Sequence, residues 1–425
     1  MGIPYDSTAF GVPLSRAMEM LDYEGLRTPN RNGARIAGTR KRIGGVCCYV
    51  DSAGLGPSSV LARTLYEQGG WNYGSVRVLA SGTVEVLTGT SAQGQGHGTA
   101  FAQLAADALG VDLTDVRVLH GDTALVPLGT GTFSSRSLIV GGTAIVQAAE
   151  RVIDKARGIA AHLLEVDAVD VDFSHGRFSV AGAPESEQAL MLRDVARAAH
   201  LAWDLPDGIE PGLEASAVFH PTDWTYPFGT HVAVVEVDMD TGEARVIRYV
   251  AVDDCGNVVN PTIVEGQIHG GVAQGIGQAL FEEIRYSLEG QLDTGSFLSY
   301  LLPSAAELPT FELDRTVTPT TLNPLGAKGV GGGNPRGASA AMNRGRDALQ
   351  TDGEIDMPAT PERTIASHRH SLGACGSGAD RGRTDPVGHR RLPTRPPRCP
   401  SSASRSRVCF RFGGEGVSAL MTSST

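Results

Sequence analysis

The chain has 425 residues, of which 41% are hydrophobic, and carries a formal net charge of −11 at pH 7. This length exceeds the usual size of one hydrophobic core, so we expect two or three globular units. The acidic balance argues against a general surface for nucleic acid or anionic membrane, because either needs a concentrated basic face. We therefore expect the body of the protein to act on a small molecule.

The first residues, MGIPYDSTAF, lack a basic segment followed by an apolar one, and no apolar run approaches the roughly 18 residues of a membrane span. The six cysteines form no CxxC pair, which argues against a zinc ribbon or an encoded iron–sulfur cluster. We expect a cytoplasmic protein with no membrane span and no nucleic-acid partner.

Two β-hairpins are predicted from alternating apolar and polar residues. The first is SVRVLASGTVEVL, residues 75–87, with its turn at residues 80–82. The second is HVAVVEVDMDTGEARVIRYVAV, residues 231–252, which repeats the design around residues 240–242.

Each hairpin leads into a glycine-containing loop and then a helix, GQGHGTAFAQL after the first and GQIHGGVAQGI after the second. The similarity of these junctions indicates an internal duplication. The sequence therefore predicts an α+β (mixed α/β) fold of two similar lobes built from hairpin–loop–helix units. Across the cleft between the lobes we expect a meeting of Gln95, His97, Gln267 and His269.

The predicted boundaries give a first lobe at residues 1–210, a second lobe at residues 211–362 and an Arg-rich tail at residues 363–425. The tail has many arginines, no lysine and no apolar periodicity. It is either a basic segment that binds nucleic acid or a disordered or non-native extension. The abrupt loss of lysine favours the second interpretation.

The loop GQGHG has two interpretations. Its glycines let backbone N–H groups approach an anionic ligand, and the Gln95 amide donates and accepts hydrogen bonds, which suits a phosphate-bearing cofactor. A plain turn with a helix cap explains the same residues. Another glycine-rich piece, GTGTFSSRS, adds hydroxyls and Arg136, a combination suited to a pyrophosphate.

The helix after Asn260 is predicted in more detail. Asn260 can cap it, Pro261 suits its first turn, and an apolar stripe recurs every four residues at Ile268, Val272, Ile276 and Leu280. Several glycines interrupt the helix, each at about 1 kcal/mol relative to alanine, namely Gly266, Gly270, Gly271, Gly275 and Gly277. Close helix packing explains this bare backbone, and so does a ligand along the N-terminal turns.

Several long motifs in a fixed order carry a resemblance to a known family. They are GQGHGTAFAQLAADALGV, HGDTALVPLGTGTFSSRS, DDCGNVVNPTIVEGQIHGGVAQGIGQALFEE, NPLGAKGVG and EIDMPATPER. Together they resemble the molybdopterin-binding large subunit of the xanthine dehydrogenase and aldehyde oxidase family, in particular the branch of the aerobic carbon monoxide dehydrogenase large chain. The resemblance extends from Tyr5 to Arg363.

This resemblance implies a molybdenum-dependent oxidoreductase that binds molybdopterin cytosine dinucleotide without a direct protein ligand to the metal. The implied reaction is oxidative hydroxylation of an aldehyde, a purine-like heterocycle or carbon monoxide, with water as the oxygen source. The implied partners are an FAD-binding medium subunit and a 2Fe–2S small subunit, which carry the electrons away.

The resemblance also implies a set of site residues. Gln95 would lie near the molybdenum oxo group, with Gly96 and His97 beside the cofactor. Phosphate contacts would come from Thr132, Arg136 and Ser137. The pocket would be completed by Cys255, Asn260, Gln267, Lys328 and Gly329.

Two departures from the family pattern bear on activity. The family's large chain has a long additional N-terminal stretch, so we expect a separately encoded N-terminal portion of the large subunit as a partner. The second departure lies in a glycine-rich loop. In the family this loop has the sequence KGVGE, and its glutamate acts as the general base. Here Gly332 occupies that position, after KGVG at residues 328–331.

Three hypotheses follow. The chain is the C-terminal part of a molybdenum hydroxylase large subunit, active only with its N-terminal portion and redox partners. Alternatively, it is a non-catalytic relative that binds cofactor or subunits, which the missing glutamate favours. The third, a nicotinamide-dependent oxidoreductase, needs a strand–GxGxxG–helix unit with an acid about 20 residues further on, and the sequence contains none.

Overall fold

A computed structural model describes residues 5–6, 9–27, 40–63, 68–182, 189–330, 342 and 355–367. Its α-helices are α1 (Gly11–Leu21), α2 (Tyr23–Arg27), α3 (Ser58–Leu61), α4 (His97–Leu109), α5 (Thr143–Leu164), α6 (Leu192–Leu201) and α7 (Pro261–Leu280). Its strands are β1 (Arg40–Val50), β2 (Asn72–Val78), β3 (Val84–Thr88), β4 (Val116–Leu119), β5 (Val171–Ser174), β6 (Arg177–Val180), β7 (Ala189–Met191), β8 (Leu213–Phe219), β9 (Phe228–Asp238), β10 (Ala244–Asp254) and β11 (Phe311–Thr316).

Two four-stranded sheets share one topology, which confirms the mixed α/β fold with two similar lobes. Their strand orders are β8-β2-β3-β4 and β1-β9-β10-β11. In each sheet a hairpin is followed by a helix, α4 or α7, and then by a strand that pairs parallel to the second hairpin strand. An antiparallel strand completes each sheet beside the first hairpin strand.

The two sheets exchange strands across the boundary predicted between residues 210 and 211. Strand β1, early in the chain, pairs along its whole length with β9 in the second lobe. Strand β8, which follows residue 210, pairs with β2 in the first lobe. The lobes are therefore interlocked, and each predicted sequence half contributes one strand to the other half's sheet.

The core of the first lobe lies between its sheet and the helices α4, α5 and α6. Strand β2 alternates buried and half-buried residues, because only one of its faces meets the helices. Helix α5 packs directly on this strand at Gly74, where an added Cβ would lie 2.8 Å from the backbone of Ala144. Glycine therefore sets the close approach of helix and sheet.

The second lobe buries both faces of its sheet. On one face α7 packs its predicted stripe, with Ile268, Val272 and Ile276 buried and Leu280 partly buried against the core. On the other face α1 places Ala17 and Leu21 against alternate residues of β9 and β10. Burial on both faces explains why nearly every residue of β9 is buried, whereas β2 alternates buried and half-buried residues.

Two observations concern the ends of the described chain. Residues 361–367 are helical and Thr364 is buried, so packed structure continues past the boundary predicted at Arg363. The predicted tail from residue 368 onward lies outside the described residues. In the part of the chain that the structure describes, no helix combines the length and apolar character needed to cross a bilayer.

Candidate functional site

The two loop–helix junctions meet at one cavity of about 500 Å³, as the duplication predicts. Gln95 from the first lobe and Gln267 from the second lobe both line it. The other lining residues that the sequence singled out are His97, Thr132, Ser137, Cys255, Asn260 and Gly329. His269 does not contribute, because its ring packs against Phe311 on β11, with 5.4 Å between ring centroids. The expected meeting of His97 with His269 is therefore wrong.

The GQGHG loop forms one wall of the cavity. Its glycines Gly94 and Gly96 adopt left-handed backbone angles, with φ of 101° and 81°. The Gln95 side chain is held by the loop itself, since its Oε1 accepts from Gln93 N at 2.5 Å and its Nε2 donates to Ser91 O at 3.2 Å. The loop therefore presents the Gln95 amide in a fixed orientation.

Gly96 serves the junction between the lobes and is not among the residues that line the cavity. An added Cβ at Gly96 would lie 2.7 Å from Cδ1 of Ile263, on the first turn of α7. Glycine at this position lets α7 approach α4, and the placement of Gly96 beside the cofactor stays a prediction. Asn260 joins the same two helices, because its Nδ2 donates to Gln103 Oε1 at 2.8 Å while its Oδ1 caps α7.

His97 begins α4 and is 8% exposed. Its ring stacks on Phe101 with 5.0 Å between centroids, and its Nδ1 has no hydrogen-bond partner among the residues that the structure describes. Burial, with a smaller contribution from nearby His120, lowers the pKa of His97 to about 4. The ring is neutral at pH 7, so it offers one donor and one acceptor nitrogen.

A loop rich in hydroxyl groups forms the wall beside the GQGHG loop. Thr132 Oγ1 accepts hydrogen bonds from Ser91 N and from Ser137 Oγ, both at 2.9 Å. Ser134 and Ser135 also line the cavity, each at a φ of 49°. Sequence reasoning missed these two serines, because nothing in the local sequence indicates a left-handed backbone at consecutive non-glycine residues.

The loop that carries Gly329 and Val330 closes the cavity beside Ser135. Ser135 Oγ donates to Val330 O at 3.1 Å. Gly329 has a φ of 106°, and a Cβ there would lie 3.0 Å from the Cβ atoms of Ala53 and Ser135. Glycine is therefore required for this close approach. Gly332, at the position of the family's glutamate, lies outside the described residues.

Arg136 is not among the residues that line the cavity, and its contact with phosphate stays a prediction. The residue is 0% exposed. Its Nη1 donates to Gly131 O at 2.9 Å, and its Nη2 donates to the carbonyls of Gly70 and Trp71 at 3.0 and 2.6 Å. The guanidinium therefore fastens the hydroxyl loop to the start of β2, because its planar fork matches several backbone carbonyls at once.

Lys328 is also buried behind the cavity wall instead of lining it. Its Nζ lies 3.7 Å from Asp254 Oδ1 and 4.9 Å from the centroid of the Phe228 ring. Its backbone N donates to Cys255 O at 2.8 Å. Burial lowers the pKa of Lys328, and Asp254 opposes that shift. The residue therefore positions the Gly329 loop and is not among the residues that line the cavity, and its part in the ligand pocket stays a prediction.

Cys255 lines the cavity at the end of β10. Burial, followed by the neighbouring carboxylates Asp253 and Asp254, raises the pKa of its thiol to about 12. The thiol is protonated at neutral pH and is a weak nucleophile. Across the described ranges no cluster of three or more His, Cys, Asp or Glu residues is placed to hold a metal ion.

Residues 16–309 match the family described as the molybdopterin cofactor-binding domain. The chain belongs to this family. It is 36% identical over 374 residues to the carbon monoxide dehydrogenase large chain of Afipia carboxidovorans, covering 84% of this chain and 44% of that one. It is 36% identical to the nicotine 6-hydroxylase large subunit of Paenarthrobacter nicotinovorans, covering 86% and 44%.

A solved structure gives the same family relationship. Reconstituted carbon monoxide dehydrogenase from Oligotropha carboxidovorans matches with a TM-score of 0.80 and 34% identity, covering 88% of this chain and 46% of that chain. The molybdopterin cofactor-binding chain described here thus spans less than half the length of these relatives.

The lining of the cavity fits a molybdopterin cofactor. His97 supplies a buried ring nitrogen without a protein partner in the described part of the chain. At Gly94 nothing lies within 4 Å of an added Cβ, so the loop backbone is open to a ligand. Hydroxyl and amide groups of both lobes converge on the space between, from Thr132, Ser134, Ser135, Ser137, Gln95, Asn257 and Gln267. Such groups suit the polar heteroatoms of a pterin and a phosphate chain.

Proposed function

We propose that the chain is the cofactor-binding part of a molybdenum hydroxylase large subunit. It would bind molybdopterin cytosine dinucleotide in the cavity and take part in the hydroxylation of an aldehyde, a purine-like heterocycle or carbon monoxide, with water as the oxygen source. The observation that carries this proposal is the convergence of two duplicated junctions, through Gln95 and Gln267, on one cavity. Bound there, the cofactor would supply the two-electron redox chemistry.

The chain's own residues would bind and orient the cofactor. The amides of Gln95 and Gln267 can donate and accept hydrogen bonds, one from each lobe. The hydroxyls of Thr132 and Ser137, which are hydrogen-bonded to each other, would form hydrogen bonds with the phosphate oxygens. His97 stays neutral at working pH, so it would contribute a hydrogen bond without a charge.

Apolar residues on the same cavity would exclude water from the cofactor. They are Phe101, Phe133, Leu138, Val258, Val259, Ile263, Val264 and Val330. A wall of this kind strengthens each polar contact, because the local dielectric falls as water leaves. The cavity would therefore combine specific hydrogen bonds with apolar contacts.

The proposed partners are an FAD-binding medium subunit, a 2Fe–2S small subunit and a separately encoded N-terminal portion of the large subunit. The relatives' names support subunit assembly, since one is a dehydrogenase complex subunit gamma and others are large chains. All of these names denote enzymes or enzyme subunits, which does not favour the non-catalytic alternative. Gly332 in place of a general base would nevertheless make turnover slow.

Equilibrium binding of cytidine 5′-diphosphate to the full chain tests the proposal, because this nucleotide corresponds to the cytosine end of the cofactor. We expect saturable binding that guanosine 5′-diphosphate does not displace. His97→Phe should weaken binding of the intact dinucleotide, whereas the matched variant His269→Phe, on the far side of α7, should leave it unchanged. Equal binding of both diphosphates, or equal effects of both variants, would contradict the proposal.

A further inference from the structure

The segment between α7 and β11 exposes an unusual set of large apolar side chains. We call residues 284–302 the apolar arm. The exposed side chains are Ile284, Tyr286, Leu288, Leu292, Phe297, Leu298, Leu301 and Leu302, with exposures from 47% at Leu292 to 104% at Leu288. Single exposed leucines are ordinary, but such a concentration in one short segment marks a surface that is covered in the working protein.

The backbone of the apolar arm is held in a defined shape. Ser287 N donates to Gln291 O at 2.8 Å and Asp293 N donates to Arg285 O at 2.9 Å, which makes a small hairpin with Leu288 near its tip. The base of the arm is tied to the body, because Tyr300 OH donates to Glu282 at 2.6 Å. The apolar side chains are thus presented by a formed structure.

Helix α7, which leads into the apolar arm, has two exposed glycines on its surface. On α7, Gly266 and Gly270 are exposed, and nothing lies within 4 Å of a Cβ added at either position. Neither glycine lines the cavity. A ligand in the cavity therefore does not account for them, whereas the close approach of another polypeptide would.

The lengths of the relatives indicate which polypeptide covers the arm. The arm lies within residues 16–309, which match the family, so it belongs to the family's architecture. The relatives' large chains are more than twice as long as the part that this chain covers. Each relative therefore contains further residues in the same polypeptide that can bury this segment.

The apolar character of the arm favours that occupant over the redox subunits. Contacts within one large chain are buried permanently and resemble a domain core, whereas electron-transfer contacts are small. The arm has few charged residues, Arg285, Glu289 and Asp293, among its large apolar ones. We propose that the apolar arm docks the N-terminal portion of the large subunit. This inference rests on the proposed function for the identity of the partner.

Binding of the cofactor-free full chain to the N-terminal portion of the Hydrogenophaga pseudoflava carbon monoxide dehydrogenase large chain tests the inference. That large chain is 37% identical to this one over 384 residues. We expect a one-to-one complex by light scattering. The double variant Phe297→Asp with Leu298→Asp should weaken the complex at least about tenfold, because a charge would enter the centre of an apolar interface.

The matched control is Val169→Asp with Trp203→Asp, which places two charges at similarly exposed apolar positions outside the arm. It should bind like the parent, and circular dichroism should show that both double variants are folded. An arm variant that binds as tightly as the parent would overturn the inference, as would a parent that forms no complex. Self-association through the arm in place of this complex would also overturn it, since the occupant would then be a second copy.

Failure of this inference is distinguishable from failure of the proposed function. Partner binding is measured without cofactor, whereas the proposed function is tested by cytidine 5′-diphosphate and the His97 variant. Arm-dependent association without any nucleotide binding would overturn the proposed function alone. Specific nucleotide binding with an arm variant that associates normally would overturn the docking inference alone.

Discussion

Lys328 and Asp254 form an ion pair from which water is excluded, with Nζ 3.7 Å from Oδ1 and both side chains 0% exposed. Asp254 also accepts hydrogen bonds from the hydroxyls of Thr316 and Thr318, at 2.8 and 2.7 Å. The pair joins the end of β10 to the loop that begins at Gly329. Because that loop lines the cavity, the ion pair fixes one wall of the site from behind.

Lys328→Met should therefore destabilise the protein strongly. The substitution leaves the Asp254 carboxylate buried without its cation, which costs about 3–5 kcal/mol in comparable sites. Urea unfolding at pH 7 measures the loss. The matched control is Arg77→Met, since Arg77 pairs with Glu214 and Glu85 at the surface and should lose less than about 1 kcal/mol. Equal losses would show that the buried pair has no special role.

The depressed pKa of His97 predicts a pH dependence of stability. The folded protein holds this pKa near 4, below the ordinary value of 6.5, so the unfolded chain binds more protons between those values. The contribution of neutral His97 to the free energy of unfolding is fully present above pH 6.5. It is lost as the pH falls toward 4, which lowers the free energy of unfolding by up to about 3 kcal/mol. Unfolding free energies measured from pH 4 to 7 should show this slope in the parent.

Removing the titrating ring provides the control for that slope. His97→Phe should reduce the pH dependence between 4 and 6.5, because phenylalanine does not bind a proton. The variant His269→Phe, at an exposed position, should keep the slope of the parent. A parent whose stability is flat across this range would contradict the assigned environment of His97.

Gly96→Ala should disturb the junction between the lobes more than Gly94→Ala does. Both residues have left-handed backbone angles, so alanine strains both by about 1–2 kcal/mol. Only at position 96 would the new Cβ also meet Ile263, at 2.7 Å. Thermal unfolding of the two variants isolates this clash, and the additional variant Ile263→Val should relieve part of it. Equal melting temperatures for the two alanine variants would rule the clash out.

The hairpins and α7 were predictable from sequence because their signals are local, and the cavity was predictable because the two loop–helix junctions resemble each other. Alternating apolar and polar residues around a short turn specify the β2–β3 hairpin. Apolar residues spaced every four positions specify the buried face of α7. The exchange of β1 and β8 was not predictable, since each pairs with a strand that is distant in sequence. Arg136 was predicted to bind phosphate from its own chemistry and the hydroxyls beside it, and Lys328 was placed in the pocket by the family resemblance. Only the structure shows that both side chains are buried.

Restoring a general base should raise turnover only in a rebuilt loop. A base contributes about 10²- to 10⁴-fold, and glycine at position 332 cannot accept a proton. By the resemblance to the family, residues 333–336 also depart from its pattern, so we expect Gly332→Glu alone to recover little. Steady-state rates with aldehydes, purines and carbon monoxide would compare the parent, Gly332→Glu and the rebuilt loop, each assembled with the N-terminal portion and redox subunits. A parent as fast as the rebuilt loop would mean that another residue acts as base.

The identity of the bound nucleotide tests the central claim most directly. The full chain, assembled with the N-terminal portion of the large subunit and purified from a host that makes the cofactor, should release cytidine 5′-monophosphate on acid hydrolysis, together with molybdenum in equal amount. A Gln95→Leu and Gln267→Leu double variant should release much less, because both lobes lose their amide contact with the cavity. A folded complex that releases no cytidine nucleotide, or that releases as much from the double variant as from the parent, would contradict this account.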